Sequence, residues 1–446
     1  MEDKARYVAL KILSEIDEKK VFSNIRINQY FKKYNLSSLD RAFATEIVYG
    51  TLRWKLKIDY LIQKFCKKDL KDLNVWALNC IRIGVYQIFL MDKVPEFAAV
   101  NQSVVLCKLK APRLSGFVNG ILRNIIRNKQ EFDIINEKDK TKFLSIKYSH
   151  PKWFIDYFIK YFDEKFLIDL MDANNQAPEL TVRVNTLKSS KENLKAKIIS
   201  RGIKVKDGQL KESLIIEEVG QIEKMQEFLD GLFYVQDQSS MMASIILNPK
   251  PGEKVLDMCA APGGKATHMA ELMENTGEII AFDVHEHKID LINENSKRLG
   301  IGIIKPMLKD ATGFYKEFEN NFDKILLDAP CSGLGLIRKK PEIRWNVSLK
   351  NIKDLTKIQS ILLKNASKYV KINGEILYST CTITKDENEQ IIEKFLNENT
   401  NFELVNISEL VPIEFKNSLI DGTYLRLYPN INNTDGFFIC KLKRLW

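Results

Sequence analysis

The stretch Val255–Ala270, VLDMCAAPGGKATHMA, runs from an apolar segment through Asp257 into a Pro-Gly-Gly turn and on into a helical pattern. It predicts a strand, a tight loop and a helix N-terminus in succession. Glycines in such a loop let backbone amides approach a ligand closely, and the helix start carries partial positive charge suited to an anion. The loop is not a nucleotide-triphosphate loop. G-x-x-x-x-G-K-[ST] requires a glycine where Cys259 stands and a hydroxyl where Ala266 stands. Neither Gly263-Gly264 nor Gly333-Leu334-Gly335 completes G-x-G-x-x-G, so a dinucleotide fingerprint fails as well.

Working outward, strand and helix patterns alternate. Strands are predicted at 254–258, 278–282, 304–308, 324–327 and 375–378, and helices at 265–273, 287–299 and 352–371. Alternation of this kind predicts a doubly wound, Rossmann-like parallel sheet that binds its ligand at the carboxyl ends of its strands. Asp283 ends the strand after the glycine loop, where a carboxylate can accept hydrogen bonds from both ribose hydroxyls, and Asp310 follows a third strand. The set suits a nucleoside with an amino-acid tail, and S-adenosylmethionine is such a cofactor.

At 446 residues, 45% hydrophobic and 28% charged, the chain predicts two or three folded domains. The formal charge is +10, but residues 1–150 hold 28 Lys/Arg against 16 Asp/Glu, leaving +12 there and −2 in the remainder. A basic module joined to a near-neutral one points to a polyanion such as RNA, although a lysine-rich soluble surface has the same signature. The first module reads as helical. Phe117, Val118, Ile121, Leu122, Ile125 and Ile126 make one continuous apolar face with Arg113, Arg123 and Arg127 in or beside it, and Ser37 with Asp40 makes a capping box. Residues 75–91 form the most apolar helix, but Asn79, Arg82 and Gln87 interrupt it, so a buried core helix is expected rather than a membrane span. The opening MEDKARYVALKI has no signal-peptide pattern, which predicts a cytoplasmic protein.

Between the two modules, Leu180, Val182 and Val184 alternate with polar residues, followed by helix-like NLKAKIIS and the strand candidate SLIIEEV, Ser213–Val219. The expected organisation is an all-α domain at 1–140, a small α+β RNA-binding domain at 145–235 and an α/β domain at 236–446.

Seven widely spaced cysteines without a C-x-x-C pair argue against a disulfide framework and a structural zinc, and no metal is expected. His268 reads as a packing or surface residue, and His285 and His287 as a surface turn. A monomer is the default. Asp328 ends the strand KILLDAP, Cys331 follows Pro330, and Cys381 ends the next strand, EILYSTCT. Both cysteines therefore emerge at the carboxyl edge beside the glycine loop. Cytosine C5 is a poor nucleophile; methylating it calls for a thiolate to add at C6 and a carboxylic acid such as Asp328 to protonate or hydrogen-bond N3. One cysteine suffices for attack, and a second can assist release. Phe437-Phe438 reads as a hairpin strand filling the core, and Trp345, with Arg338, Lys339, Lys340 and Arg344 around it, as either an RNA-stacking loop or a solvated one.

DMCAAPGGKATHMAEL, DAPCSGLG and YSTCTITKDENE, with RVNT at Arg183 and DGFF at Asp435, resemble the RNA cytosine-5 methyltransferases. The basic helical segment resembles the NusB antitermination fold, and the combination is similar to the small-subunit ribosomal RNA methyltransferases of the Sun/Fmu type. The resemblance covers essentially the whole chain. It implies that Cys259, Ala260, Ala261, Pro262, Gly263, Gly264 and Lys265, with Asp283, Asp310 and Asp328, bind S-adenosylmethionine. It also implies that Cys381 is the nucleophile, Cys331 assists release, Lys265 lies near the target base, and 16S rRNA is the substrate. Transfer RNA or 23S rRNA as substrate, or a non-catalytic antitermination factor, are the competing readings.

Overall fold

The computed structural model describes residues 3–217 and 220–446. Met1 and Glu2, which open the N-terminal segment read above, and Glu218 and Val219, which end the strand candidate SLIIEEV, lie outside the described residues. The chain forms two compact units. One comprises the residues up to Gln176 together with Ile337–Asn346, and the other comprises Ala177–Leu336 and Val347–Trp446.

The first unit is helical throughout its described residues. Its central helix, Val75–Leu90, buries Cys80, Ile81, Ile83 and Val85 completely. The three polar interruptions in that apolar run are each explained by a partner. Arg82 donates to Asp17 (2.7 Å) and Asp59 (2.6 Å), Asn79 Nδ2 donates to Asp17, and Gln87 donates to the Ile83 carbonyl. A buried charge held this way satisfies its hydrogen-bonding needs without water. Ser37 caps Ser38–Arg53 by accepting from the Asp40 amide. Helix Ser115–Arg127 buries Val118, Ile121, Leu122 and Ile125, while Phe117 and Ile126 at the edges of its stripe are only half-buried.

The segment Ile337–Asn346 belongs to this helical unit, which corrects the reading of Trp345 and its basic neighbours as an RNA-stacking or solvated loop. Arg344 is fully buried and donates to the carbonyls of Arg53, Ser149 and Asn174 and to Asn175 Oδ1. Glu342 accepts from the amide and hydroxyl of Ser23, and Trp345 Nε1 donates to the Leu52 carbonyl. Side chains spent on internal acceptors are not available to a phosphate. Burial accordingly pulls the Arg344 guanidinium well below its ordinary range.

The second unit holds two sheets. The smaller is antiparallel, with Val205–Asp207 (β2), Ser213–Ile216 (β3), Leu180–Val184 (β1) and Phe233–Val235 (β4) in that spatial order. The larger has nine strands. Its parallel part runs Val370–Thr380 (β9), Phe322–Asp328 (β8), Lys254–Asp257 (β5), Glu278–Asp283 (β6), Ile304–Leu308 (β7). Beyond β9 it continues antiparallel through Phe437–Arg444 (β13) and Tyr424–Leu427 (β12) to Leu419–Ile420 (β11), with Phe402–Leu404 (β10) also pairing β13. Side chains alternate between the two faces as the pleat requires. Val255, Leu326 and Leu377 join one core, and Leu256, Ile325, Leu327, Ile376 and Tyr378 the other. Phe437 and Phe438 are buried on opposite faces of the β12–β13 hairpin, as expected. Among the described residues no helix is long and apolar enough to cross a membrane.

Candidate active site

The carboxyl ends of β5, β8 and β9 bring the sequence-predicted residues together. Strands β5 and β8 are parallel neighbours, as are β8 and β9, so Asp257, Asp328 and Thr380-Cys381 emerge on one edge. Asp328 Oδ2 accepts from Lys265 Nζ at 2.6 Å and its Oδ1 from Ser379 Oγ at 2.8 Å. Burial pulls the Lys265 ammonium down, but the Asp328 carboxylate outweighs it and holds the pKa above its usual value. Lys265 also lies over the Phe437 ring, 5.2 Å from its centroid.

Cys331 Sγ and Cys381 Sγ stand 3.2 Å apart. The hydrogen bond to Cys381, reinforced by burial, pushes the Cys331 thiol well above the usual range. Cys331 is therefore a sulfur that holds its proton tightly, while either sulfur can be the donor across the 3.2 Å contact.

Glu387 sets this spacing. Its carboxylate is fully buried. It accepts from the Ser332 amide (2.8 Å), Ser332 Oγ (2.6 Å), Thr384 Oγ1 (2.8 Å) and Gln359 Nε2 (3.1 Å). Gln359 also donates to the Pro330 carbonyl, so the residues on both sides of Cys331 are tied to the loop that follows Cys381. Asn388 continues the tie, accepting from Thr380 Oγ1 and donating to the Thr382 carbonyl. Gly335 donates its amide to the Cys381 carbonyl, and a Cβ on it would sit 1.9 Å from the Gly436 carbonyl oxygen. Only glycine fits that crossing.

The glycine loop is held from behind. Gly263 adopts φ +98°, a left-handed conformation that other residues adopt only under strain. Helix Gly264–Leu272 follows it directly. Arg183 on β1 is fully buried, makes a two-point ion pair with Glu271 (2.8 and 3.1 Å), and donates to the Gly264 carbonyl and Thr267 Oγ1. One guanidinium thus ties the small sheet to the first turns of the loop's helix. Asp257 is buried, with Oδ1 accepting the Cys259 amide at 3.4 Å and Oδ2 without a protein partner. Burial, reinforced by the nearby Asp328 charge, raises its carboxyl to about 7. Burial also pushes the Cys259 thiol up, so that cysteine stays protonated. Asp283, at the end of β6, accepts the His285 amide, and Asp310, exposed after β7, accepts the amide and hydroxyl of Thr312.

Comparison with known proteins matches this arrangement over its whole length. A model of 16S rRNA methyltransferase RsmB/F matches residues 244–443, a NusB family model 3–127, and a ferredoxin-like domain model of the RsmF/B-like methyltransferases 150–223. A probable ribosomal RNA small subunit methyltransferase B of Bacillus subtilis is 35% identical over 98% of both chains. The chain belongs to the RsmB/F family of 16S rRNA methyltransferases. Among solved structures, PH0851 superposes with a TM-score of 0.85 at 30% identity, covering 100% of this chain and 99% of its own. A methyltransferase homologue from Pyrococcus horikoshii gives 0.59 at 33% identity, covering 69% of this chain and 100% of its own. The expected fold classes, a NusB-like helical part, a small α+β part and a Rossmann-like methyltransferase part, agree with these matches.

Three RsmB/F site features were not read from the sequence. Arg183 and Glu387 each lie in a quoted motif, RVNT and DENE, but nothing local marks a charged residue as fully buried. Ser379 sits one strand away from the aspartate it bonds. Their partners are 88, 55 and 51 positions distant respectively.

Proposed function

We propose that this RNA methyltransferase transfers a methyl group from S-adenosylmethionine to C5 of a cytosine in 16S rRNA through a covalent adduct between Cys381 and C6. The observation that carries the reading is the pair of sulfurs 3.2 Å apart, one kept protonated, beside the Lys265–Asp328 pair. Cys381 adds to C6, and the electron pair displaced toward N3 is met by a proton from the Asp328–Lys265 pair. S-adenosylmethionine, when bound, supplies the electrophilic methyl group. Loss of the C5 proton to water then re-forms the C5=C6 bond and expels Cys381 as a thiolate that the Cys331 S–H stabilises, while N3 returns its proton to the Asp328–Lys265 pair. The target base must be taken out of its stack to reach these groups.

The cofactor assignment is supported by the orphaned, buried Asp257 Oδ2, a ready acceptor for an ammonium, and by the left-handed Gly263 turn that leads into a helix start suited to a carboxylate. Gly263, Gly264 and Lys265 with Cys259 to Pro262 would form the cradle, and Asp283 would take the ribose hydroxyls. Asp310 would close the far side of that pocket. A cationic ligand favours ionised Asp257, so binding near pH 7 is expected to release a proton, and affinity to fall as pH drops through about 7. Calorimetric titration of S-adenosylmethionine in two buffers of different ionisation enthalpy checks this; binding with no proton exchange would remove Asp257 from the contact.

The decisive experiment incubates Cys331→Ala protein with S-adenosylmethionine and total unmodified RNA and sequences whatever stays covalently attached. A single 16S cytosine is expected. A transfer RNA would keep the chemistry and change the substrate. Turnover without adduct would overturn the cysteine roles, and neither adduct nor turnover would favour a non-catalytic RNA-binding factor.

A further inference from the structure

On the helical unit, helices Glu96–Lys110 and Ser115–Arg127 enclose a groove of about 470 Å³, within the size range of small-molecule sites. Its apolar lining is Val100, Val104 and Ile126, and Phe97 lies at its edge with 77% of its surface exposed. Asn101 and Asn119 supply amides, and Arg123 and Arg127 supply guanidinium groups. Arg123 Nε donates to Asn119 Oδ1 at 3.1 Å, which orients that amide and leaves its Nδ2 free to donate elsewhere. Residues 96–129 carry six Lys/Arg against a single acid, Glu96, and that acid is paired with Lys129. The groove itself is lined by Arg123 and Arg127 against one acid, Glu96, whose charge Lys129 answers, so the lining keeps a net positive charge.

We propose that this groove is a docking site for single-stranded RNA, with one unpaired base stacked on Phe97 and the flanking phosphates held by Arg123 and Arg127. An aromatic face left in water next to guanidinium groups is the arrangement that stacks a base while neutralising its backbone. The side-chain amides of Asn101 and Asn119 present donors and acceptors to a base edge. An apolar protein segment would use the lining of Val100, Val104 and Ile126 but would leave the net charge of the surface unanswered. The inference rests on RNA being the substrate and not on the cysteine chemistry, so adduct formation at Cys381 and docking at Phe97 can fail separately.

The test uses the full-length protein and a 5-iodouridine-substituted single-stranded RNA oligonucleotide, with the same strand annealed to its complement as control. Photocrosslinking followed by peptide mass spectrometry is expected to place the adduct on Phe97. Phe97→Leu should lose the crosslink and weaken binding of the single strand roughly tenfold or more, while Phe97→Trp retains both. Arg123→Gln and Arg127→Gln should each reduce the slope of log affinity against log salt by about one. All three positions of substitution are on the surface, and unchanged circular dichroism would show that the fold is intact. A crosslink elsewhere overturns the proposal. So does undiminished binding by Phe97→Leu, the result expected if the groove accepts an apolar protein anchor instead.

Discussion

Cys381→Ala protein is expected to bind cofactor and RNA like its parent but to transfer methyl groups at least about 10⁴-fold more slowly, the scale on which removal of a covalent nucleophile acts. The loss should fall on the chemical step. Cys381 makes a backbone hydrogen bond through its carbonyl to Gly335, and that bond survives the substitution. Its side chain is only partly buried, so truncating it leaves no large cavity. Single-turnover methyl transfer with saturating RNA measures the effect directly. The contrast with Cys331→Ala is diagnostic, because the release variant should complete methylation once and then stall as a covalent complex. If instead Cys331→Ala proved inert and Cys381→Ala accumulated the adduct, the two roles would be exchanged.

Glu387→Ala should be the most damaging change outside the reacting atoms. It leaves the Ser332 amide without its acceptor and Gln359 Nε2 with only one of its two, the Pro330 carbonyl, at about 1–3 kcal/mol for each lost partner, so a stability loss of about 2–6 kcal/mol is expected in denaturant unfolding. Glu387→Gln behaves differently for a reason visible in the network. Its oxygen can serve the two obligate donors at the Oε1 position. Its NH₂, at the other position, can donate to Ser332 Oγ and Thr384 Oγ1, hydroxyls that are free to turn and donate elsewhere, as Ser332 then can toward Thr382 Oγ1, 2.8 Å away. The glutamine variant should therefore keep most of the stability and activity. Equal damage from both substitutions would mean that the negative charge, and not the hydrogen-bond geometry, is what the loop requires.

The parts of this site that were legible in the sequence are those at strand ends. Asp257, Asp328 and Cys381 each close an apolar strand pattern, and parallel order alone places strand ends on one edge. Boundaries were less accessible. Strand β9 extends from Val370 to Thr380, longer than the segment 375–378 expected, because Val370 pairs with Phe322 of β8 across a register irregularity and Ser379 and Thr380 pair with Ile439 and Phe438 of β13, partners that no local pattern reveals. The antiparallel extension past β9 was foreseen only as a hairpin at Phe437-Phe438. Segment Ile337–Asn346 misled most. A run of basic residues around a tryptophan reads as surface until distant carbonyls, 169 to 291 positions away, are found to accept its protons.

That segment also changes what can be separated. The chain leaves the helical unit after Gln176, re-enters it at Ile337 and leaves again after Asn346, so three peptide connections join the two units where a simple tandem arrangement has one. The return visit begins six residues beyond Cys331. A single splice near residue 176 would give an ancestor or a protein engineer neither half intact: the helical part would lose a buried arginine and a half-buried tryptophan that bonds its Leu52 carbonyl, and the catalytic part would carry them without those partners. Inheritance of the two parts as one gene follows from this stitch.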